Sequence, residues 1–214
     1  MNLPNKLTLF RIILVPVMVI VSFFDIPGNF LGLGIPTTMW IMELIFVIAS
    51  ITDKLDGYLA RKNNQVTNFG KFLDPIADKI LVVAAMILFV EMGRLPAWIP
   101  IIVIFREFAV SGYRLIAVQN SGKVIAANVW GKLKTVTQMI AIILMFLTTH
   151  PYFTFVLRAK TEQEAMVNSA LTYMSTGDFI INILASLFMT VSVIATIFSG
   201  YEYLKGGKDL LKDC

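Results

Sequence analysis

Long apolar runs alternate with short polar gaps along this chain of 214 residues. Glycine and proline mark the gaps, as at Pro27 and Gly28 and again between Gly93 and Pro96. A helix needs about 20 apolar residues to cross a bilayer. The pattern therefore predicts an all-α integral membrane protein with six transmembrane helices, at residues 6–24, 37–61, 72–92, 96–120, 126–149 and 177–205.

The polar interval 150–176 between the last two runs is a candidate for a short surface helix. Composition agrees with a membrane protein, because 57% of the residues are hydrophobic and only 15% are charged, against about 25% charged in soluble domains. We expect one six-helix membrane domain over residues 1–205 and a short basic tail, 206–214. The lone cysteine, Cys214, excludes an intramolecular disulfide. The first run lacks a small-residue cleavage site, so we expect it to remain as a span.

Lysine and arginine residues indicate the orientation of the helices. Six spans put both termini on one side, and that side collects all the basic residues except Arg94, Arg158 and Lys160. The excess predicts that both termini, and the turn near 61–72, face the cytoplasm of a cell that carries this multi-pass protein in its inner or plasma membrane. A basic cytoplasmic face suits anionic lipid head groups, and nothing in the sequence indicates nucleic-acid binding.

Four aspartates lie within 26 residues of this otherwise apolar chain: Asp53, Asp56, Asp74 and Asp78. A charge at the centre of a bilayer costs roughly 2.5–3.5 kcal/mol, and less near the interface. The cluster therefore predicts a bound positive charge, for which a divalent cation is the natural candidate. The alternative is a set of helix caps and surface ion pairs.

Helical spacing suggests how these carboxylates are arranged. At about 100° per residue, Gly57 and Ala60 lie within about 40° of Asp53, so the helix face that carries Asp53 and Asp56 also carries a shelf with almost no side chains. Asp74 and Asp78 form an i, i+4 pair on the next helix. We expect a tight turn around Asn63 and Asn64 to bring the two helices side by side, with Pro75 near the start of the second.

Carboxylate oxygens are hard ligands, which favour Mg²⁺ or Mn²⁺ over zinc. Two such ions bridged by carboxylates can support in-line displacement at phosphorus. A remaining carboxylate can act as the base on an attacking hydroxyl.

The pattern DxxDGxxAR, eight residues, then GxxxDxxxD closely resembles the signature of the CDP-alcohol phosphotransferase family. The resemblance implies that the four aspartates hold two metal ions and that Asp78 is also the proton acceptor. It further implies six transmembrane helices, a homodimer, and contacts from the motif to the CDP-linked donor. The matching positions are Asp53, Asp56, Gly57, Ala60, Arg61, Gly70, Asp74 and Asp78, and Thr67 is a further implied donor contact.

Basic residues in the fourth and fifth helices are candidates for binding the acceptor. Arg106 and Arg114 are flanked by apolar sequence, and arginine suits phosphate capture. Helical spacing puts Lys132 on the face of Asn128, Gly131 and Thr135 and turns Lys134 away from it. We expect Arg106, Arg114 and Lys132 to form a basic pocket beside the metals, with Glu107 orienting one arginine and Lys134 as a further candidate. The alternative is that these cations only mark the cytoplasmic side of the membrane. For Lys123 and Lys134 this alternative explains the sequence at least as well as a role in binding.

A basic pocket implies an acceptor that carries its own phosphate, and glycerol 3-phosphate fits. The opening segment 2–16, the Arg-Glu…Arg114 spacing and the Gly-Lys-x-Lys-Thr-x-x-Gln run at 131–138 look like the bacterial members of the family that use this acceptor. These matches cover about residues 2–140. In the family the Pro-Asn-x-x-Thr segment contributes to the donor site, which implies roles for Asn5 and Thr8, although either residue could simply cap the first helix.

The resemblance thus implies transfer of the phosphatidyl group from CDP-diacylglycerol to glycerol 3-phosphate, with CMP as the second product. Another acceptor, inositol phosphate or phosphatidylglycerol, remains an alternative within the family. A cation transporter that uses the carboxylates is an alternative of another class, but it predicts acidic residues deep in several spans and repeats that this sequence lacks. A non-catalytic scaffold gives no reason for the spacing of Asp, Gly and Ala.

Overall fold

The computed structural model describes residues 2–28, 34–62, 68–121, 128–148, 150–152 and 176–206. These ranges form helices and contain no β-strand, so the prediction of an all-α protein is confirmed for the described part of the chain. The described helices are α1 (Leu3–Ser22), α2 (Thr37–Lys62), α3 (Asn68–Glu91), α4 (Trp98–Ser121), α5 (Val129–Phe146) and α6 (Thr176–Gly206). The predicted turn at Asn63 and Asn64, almost all of the interval 150–176 and the tail after Gly206 lie outside these ranges.

Two helices begin several residues earlier than the hydropathy pattern predicts. α1 starts at Leu3 with Asn2 as its N-cap, and α3 starts at Asn68. The expectation that Pro75 lies near the start of α3 is therefore wrong, since it is the eighth residue of that helix. The pattern of apolar residues marks the part of a helix that meets lipid or core, whereas backbone hydrogen bonding continues through polar residues at its ends.

The end of α3 is a Schellman motif around Gly93. The Gly93 N–H donates to the carbonyl of Val90 at 3.0 Å, and the Arg94 N–H donates to that of Phe89 at 2.8 Å. Gly93 has φ = 68°, a left-handed conformation that glycine adopts without steric cost. Arg94 Nη1 then donates to the carbonyl of Thr148 at 2.6 Å. Burial lowers the pKa of the Arg94 guanidinium to about 10, so the group stays charged at neutral pH.

Three of the described helices are long and apolar enough to cross a membrane, over Asn5–Ser22, Val129–Phe146 and Gly177–Tyr203. Their surfaces, and those of their neighbours, expose large apolar side chains such as Phe105, Phe108 and Ile197. In water such surfaces would drive association, whereas in a bilayer they face lipid. The protein is embedded in a membrane, and the six spans remain a prediction.

The described contacts divide the chain into two compact units. The first comprises Met1–Arg94 and Ile143–Pro151, where α1 packs against both α2 and α3, and α2 against α3. Its core contains three fully buried rings. The centroid of Phe146 lies 5.9 Å from that of Phe46 and 4.7 Å from that of Phe89. Tilted ring pairs at such distances add to the stability that burial alone provides.

The second unit comprises Leu95–Ile142 and Tyr152–Cys214, and within it α4 packs against α6. Trp130 of α5 stacks on Phe198 of α6 with ring centroids 5.1 Å apart. Tyr152 and Thr190 share a hydrogen bond between their hydroxyls at 2.6 Å. The end of α6 therefore lies against both α4, which carries Arg106 and Arg114, and the start of α5, which carries Lys132 and Lys134.

Candidate functional site

In the first unit, Asp53 of α2 is paired with an arginine buried in α1. Arg11 Nη1 lies 2.5 Å from Asp53 Oδ1. The Arg11 side chain is 0% exposed and that of Asp53 is 41% exposed. A buried charge is tolerated when it is paired, and packing of α1 on α2 makes this pairing possible. Part of the positive charge that the acidic cluster needs is therefore supplied by the protein itself.

The sequence pattern did not predict the contact between Arg11 and Asp53. The signal was present, because Arg11 is the only charged residue between Lys6 and Asp25. An ionisable side chain inside an apolar span is a functional candidate by default. Its partner could not be read from the sequence, since the two residues are 42 positions apart.

The aspartates predicted to bind metal lie on two helices that pack against each other, as the prediction requires. Asp53 and Asp56 belong to α2, and Asp74 and Asp78 to α3. The side chain of Asp78 is exposed, whereas those of Asp56 and Asp74 lie outside the described part of the structure. Among the described side chains, no group of three His, Cys, Asp or Glu is close enough to hold an ion. The carboxylate donors nevertheless fit Mg²⁺ or Mn²⁺ by their chemistry.

The residues expected to bind the donor fall in the same unit. Asn5 and Thr8 are buried in α1. The alternative that they cap α1 is wrong, because the helix begins before them at Leu3. Helical backbone of α2 carries Gly57, Ala60 and Arg61, and that of α3 carries Gly70; their side-chain environment, and Thr67 altogether, lie outside the described residues.

In the second unit, Glu107 of α4 joins two of the predicted basic residues. Its Oε1 atom lies 2.8 Å from Arg106 Nη1 and 2.5 Å from Lys134 Nζ. The expectation that Glu107 orients an arginine is confirmed. All three side chains are largely buried, with Lys134 the most buried of them. The shared carboxylate therefore compensates part of the charge of the two cations where little water reaches them.

The prediction that Lys134 points away from this group, and Lys132 toward it, is wrong. Lys134 is buried whereas Lys132 is exposed. The interior face of α5 follows Gly131, Lys134 and Gln138, spaced three and four residues apart as on one side of a helix. The predicted face, which is centred on Asn128 and Thr135, is rotated far enough from the observed one to exchange the two lysines.

Arg106 and Arg114 both lie close to one aromatic ring. The Cζ atoms of Arg106 and Arg114 lie 5.8 and 5.3 Å from the ring centroid of Tyr203 on α6. Arg114 Nη2 also donates to the Tyr203 hydroxyl at 2.5 Å, and Arg106 Nη2 donates to Ser199 Oγ. The prediction from sequence includes neither Ser199 nor Tyr203, although a serine and a tyrosine four positions apart near the end of an apolar helix were a visible signal.

The start of α5 also contacts Arg106 and Ser199. Asn128 Oδ1 accepts hydrogen bonds from the Gly131 N–H at 2.8 Å and from Ser199 Oγ at 3.1 Å, so Asn128 acts as the N-cap of α5. A Cβ atom on Gly131 would lie 2.9 Å from Asn128 Oδ1 and 3.3 Å from Arg106 Nη2. The arginine therefore reaches this position because residue 131 has no side chain.

We call Arg106, Glu107, Arg114 and Lys134 the basic cluster. It holds three cations and one carboxylate, which leaves a net charge of +2. A phosphate monoester carries about −1.5 to −2 at neutral pH. Two guanidinium groups offer paired N–H donors that match phosphate oxygens. The cluster is therefore suited in charge and in the chemistry of its donors to bind a phosphate group.

Comparison with known proteins shows the family of the chain. A sequence model of CDP-alcohol phosphatidyltransferases matches residues 1–200. The chain belongs to the CDP-alcohol phosphatidyltransferase family. It is 40% identical over 214 residues to the CDP-diacylglycerol–glycerol-3-phosphate 3-phosphatidyltransferase of Bacillus subtilis, covering 99% of this chain and 97% of that protein.

Two further relatives carry the same name. The enzyme of Haemophilus influenzae is 46% identical over 145 residues, which cover 66% of this chain and 73% of that protein. The enzyme of Rickettsia bellii is 34% identical over 210 residues, which cover 97% and 96%. This membrane-embedded chain is thus a family member similar along nearly its full length to enzymes named for glycerol 3-phosphate.

Proposed function

We propose that the protein transfers the phosphatidyl group of CDP-diacylglycerol to glycerol 3-phosphate, forming phosphatidylglycerophosphate and CMP. The observation that carries the choice of acceptor is the basic cluster, whose charge of +2 matches a phosphate monoester. The names of the relatives from Bacillus subtilis and Rickettsia bellii support the same acceptor. A free alcohol such as serine or choline carries no phosphate to compensate the remaining charge of +2.

Residues of α2 and α3 would carry out the transfer. Asp53, Asp56, Asp74 and Asp78 would hold two Mg²⁺ or Mn²⁺ ions, which supply positive charge to the diphosphate of the donor. Asp78 accepts the proton of the sn-1 hydroxyl of glycerol 3-phosphate. The hydroxyl oxygen then bonds to the lipid-side phosphorus while the bond from that phosphorus to CMP breaks. Arg61 stabilises the negative charge that remains on CMP.

The other residues of the motif would hold the two substrates. Gly57, Ala60 and Gly70 leave room for the cytidine diphosphate to approach the helices, and Thr67, Asn5 and Thr8 are polar contacts to it. Arg106, Arg114 and Lys134 bind the phosphate of the acceptor. Lys132, which is exposed, would act only in attracting anions from solution.

The proposal includes a homodimer in the inner or plasma membrane, with both termini and the site on the cytoplasmic side. Soluble glycerol 3-phosphate would then reach the site from the cytoplasm, while the acyl chains of the donor stay in lipid. The distribution of lysine and arginine supports this orientation.

The test is release of CMP by purified protein in mixed micelles of detergent and CDP-diacylglycerol. Glycerol 3-phosphate, inositol phosphate and phosphatidylglycerol are offered separately with Mg²⁺ or Mn²⁺. We expect CMP and phosphatidylglycerophosphate with glycerol 3-phosphate only, and no turnover after chelation of divalent ions. Release of CMP with another acceptor, and none with glycerol 3-phosphate, would refute the proposed acceptor.

The variant that tests Asp78 as the base is Asp78→Asn, which keeps the shape of the side chain and removes its basicity. We expect the variant to fold like the wild type and to lose turnover by at least about 100-fold, the lower range for loss of a general base. Turnover close to wild type would exclude Asp78 as the base while leaving the choice of acceptor intact.

A further inference from the structure

The C-terminal part of α6 contacts both arginines of the basic cluster. The Tyr203 hydroxyl accepts a hydrogen bond from Arg114 Nη2 at 2.5 Å. Its ring lies within 6 Å of both guanidinium groups, at 5.8 Å for Arg106 and 5.3 Å for Arg114. Ser199, one turn earlier, accepts a hydrogen bond from Arg106 Nη2. A single aromatic side chain is therefore in contact with both cations.

Two guanidinium groups that both lie within 6 Å of one ring carry like charges, which repel each other, and each loses rotamer freedom when it is fixed. The negative face of an aromatic ring attracts both groups. Tyr203 is only 7% exposed, so water weakens this attraction little. The ring and its hydroxyl thus offset repulsion and entropy that would otherwise have to be overcome when an anion binds.

We propose that Tyr203 is a positioning residue for the acceptor: it holds Arg106 and Arg114 in one orientation, so that they take the same phosphate group together. This inference rests on the proposed function. Tyr203 acts through the arginines and needs no contact with the substrate. Its removal should therefore weaken binding of the phosphorylated acceptor and leave binding of the donor, which is assigned to residues of the first unit, unaffected.

The test compares Tyr203→Phe, which removes the hydroxyl alone, with Tyr203→Leu, which also removes the ring. We expect the KM for glycerol 3-phosphate to rise about tenfold in Tyr203→Phe, as for loss of one hydrogen bond to a charged group. In Tyr203→Leu we expect about a hundredfold, since the cation–π contacts are lost as well. The KM for CDP-diacylglycerol and kcat at saturating acceptor should stay within about twofold.

Tyr201 provides the matched control, because it lies two residues away on the same helix and is 62% exposed. Tyr201→Phe and Tyr201→Leu should leave both KM values and kcat unchanged. Thermal unfolding of all four variants separates a loss of fold from a loss of acceptor binding. If Tyr203→Leu fails to fold, the KM of Tyr203→Phe decides.

An unchanged KM for glycerol 3-phosphate in a folded Tyr203 variant would overturn the positioning role, with the proposed function left standing. A lower kcat, a comparable rise in both KM values and a lower unfolding temperature would also overturn it. Together these changes would indicate that Tyr203 only supports the fold in general. Failure of the unaltered protein to release CMP with glycerol 3-phosphate is a different result, which refutes the proposed function itself.

Discussion

A single arginine changes how the acidic motif is understood. The sequence shows four aspartates in an apolar chain and predicts bound cations to balance them. In the structure, Asp53 is already balanced by Arg11, whose side chain is fully buried in α1. The arginine and the proposed metal ions therefore both compensate the negative charge of the aspartates. Arg11 does so before any metal ion binds.

Arg11→Met should destabilise the protein when divalent ions are chelated. Breaking a buried ion pair costs about 3–5 kcal/mol, and we reduce this to about 2 kcal/mol because Asp53 is 41% exposed and keeps part of its hydration. This corresponds to a fall in Tm of about 5 °C. Arg11→Lys keeps the charge with a shorter reach and should lose less.

The measurement is thermal unfolding in detergent with a chelator present, so that metal binding does not contribute. Lys6→Met is the control, since Lys6 is an exposed cation on the same helix and its loss should move Tm by less than about 1 °C. An equal, small shift for Arg11→Met and Lys6→Met would show that the ion pair contributes nothing to stability.

Among helices, the close approach of α5 to Arg106 depends on one glycine. Gly131 lies beneath the guanidinium group and donates its N–H to the capping side chain of Asn128. An alanine there would press on both groups, yet it would also favour the helix. The gain in helix propensity and the weaker N-cap have opposite effects on stability. The side chains of Asn128 and Arg106 would both have to move away from the new Cβ atom.

Gly131→Ala should therefore affect acceptor binding more than stability. Alanine in a helix gains about 0.5–1 kcal/mol over glycine, and a weakened N-cap loses about 1 kcal/mol, so we expect Tm near that of the wild type. Because Arg106 Nη2 must move away from a new Cβ atom at 3.3 Å, the KM for glycerol 3-phosphate should rise several-fold. Steady-state kinetics with varied acceptor measures it.

Gly112→Ala on α4 is the matched control, because a Cβ atom there meets nothing within 4 Å. It should raise Tm slightly through helix propensity alone and leave the KM unchanged. If Gly131→Ala behaves in the same way as Gly112→Ala, the close approach of Arg106 to α5 has no functional consequence.

For the whole molecule, the orientation in the membrane is a prediction from charge that labelling can test. The chain has one cysteine, Cys214, so the wild type is already a single-cysteine protein. With six spans, Cys214 should react with a membrane-impermeant maleimide in inside-out vesicles and stay unreactive in intact cells. Asp25→Cys in a Cys214→Ser background should show the reverse, since residue 25 is exposed and follows the first span.

Reaction of both cysteines from the same side would contradict six spans with both termini in the cytoplasm. Reversal of both would keep the number of spans and invert the orientation. Either result would leave the contacts within the two units unaffected, because those contacts do not depend on which side faces the cytoplasm.

The helices and the reaction were predictable because their signals are local. An apolar run reports on a helix within itself, and the aspartate motif is contained in 26 consecutive residues. Helix ends were less predictable: α3 continues through Asn68 and Gly70, which no apolar pattern marks. The confusion of Lys132 with Lys134 has a similar origin, since spacing defines the faces of α5 but not which face is turned inward.

The sequence by itself determined the class of protein, the helical order and the family chemistry, because each follows from residues a few positions apart. Only the tertiary structure decided which side chains support the site. Asp53 meets a partner 42 positions away, Arg106 one 93 positions away and Arg114 one 89 positions away. Such pairs form when packing fixes how far each helix is rotated against its neighbours, and that rotation is chosen by the burial of whole surfaces.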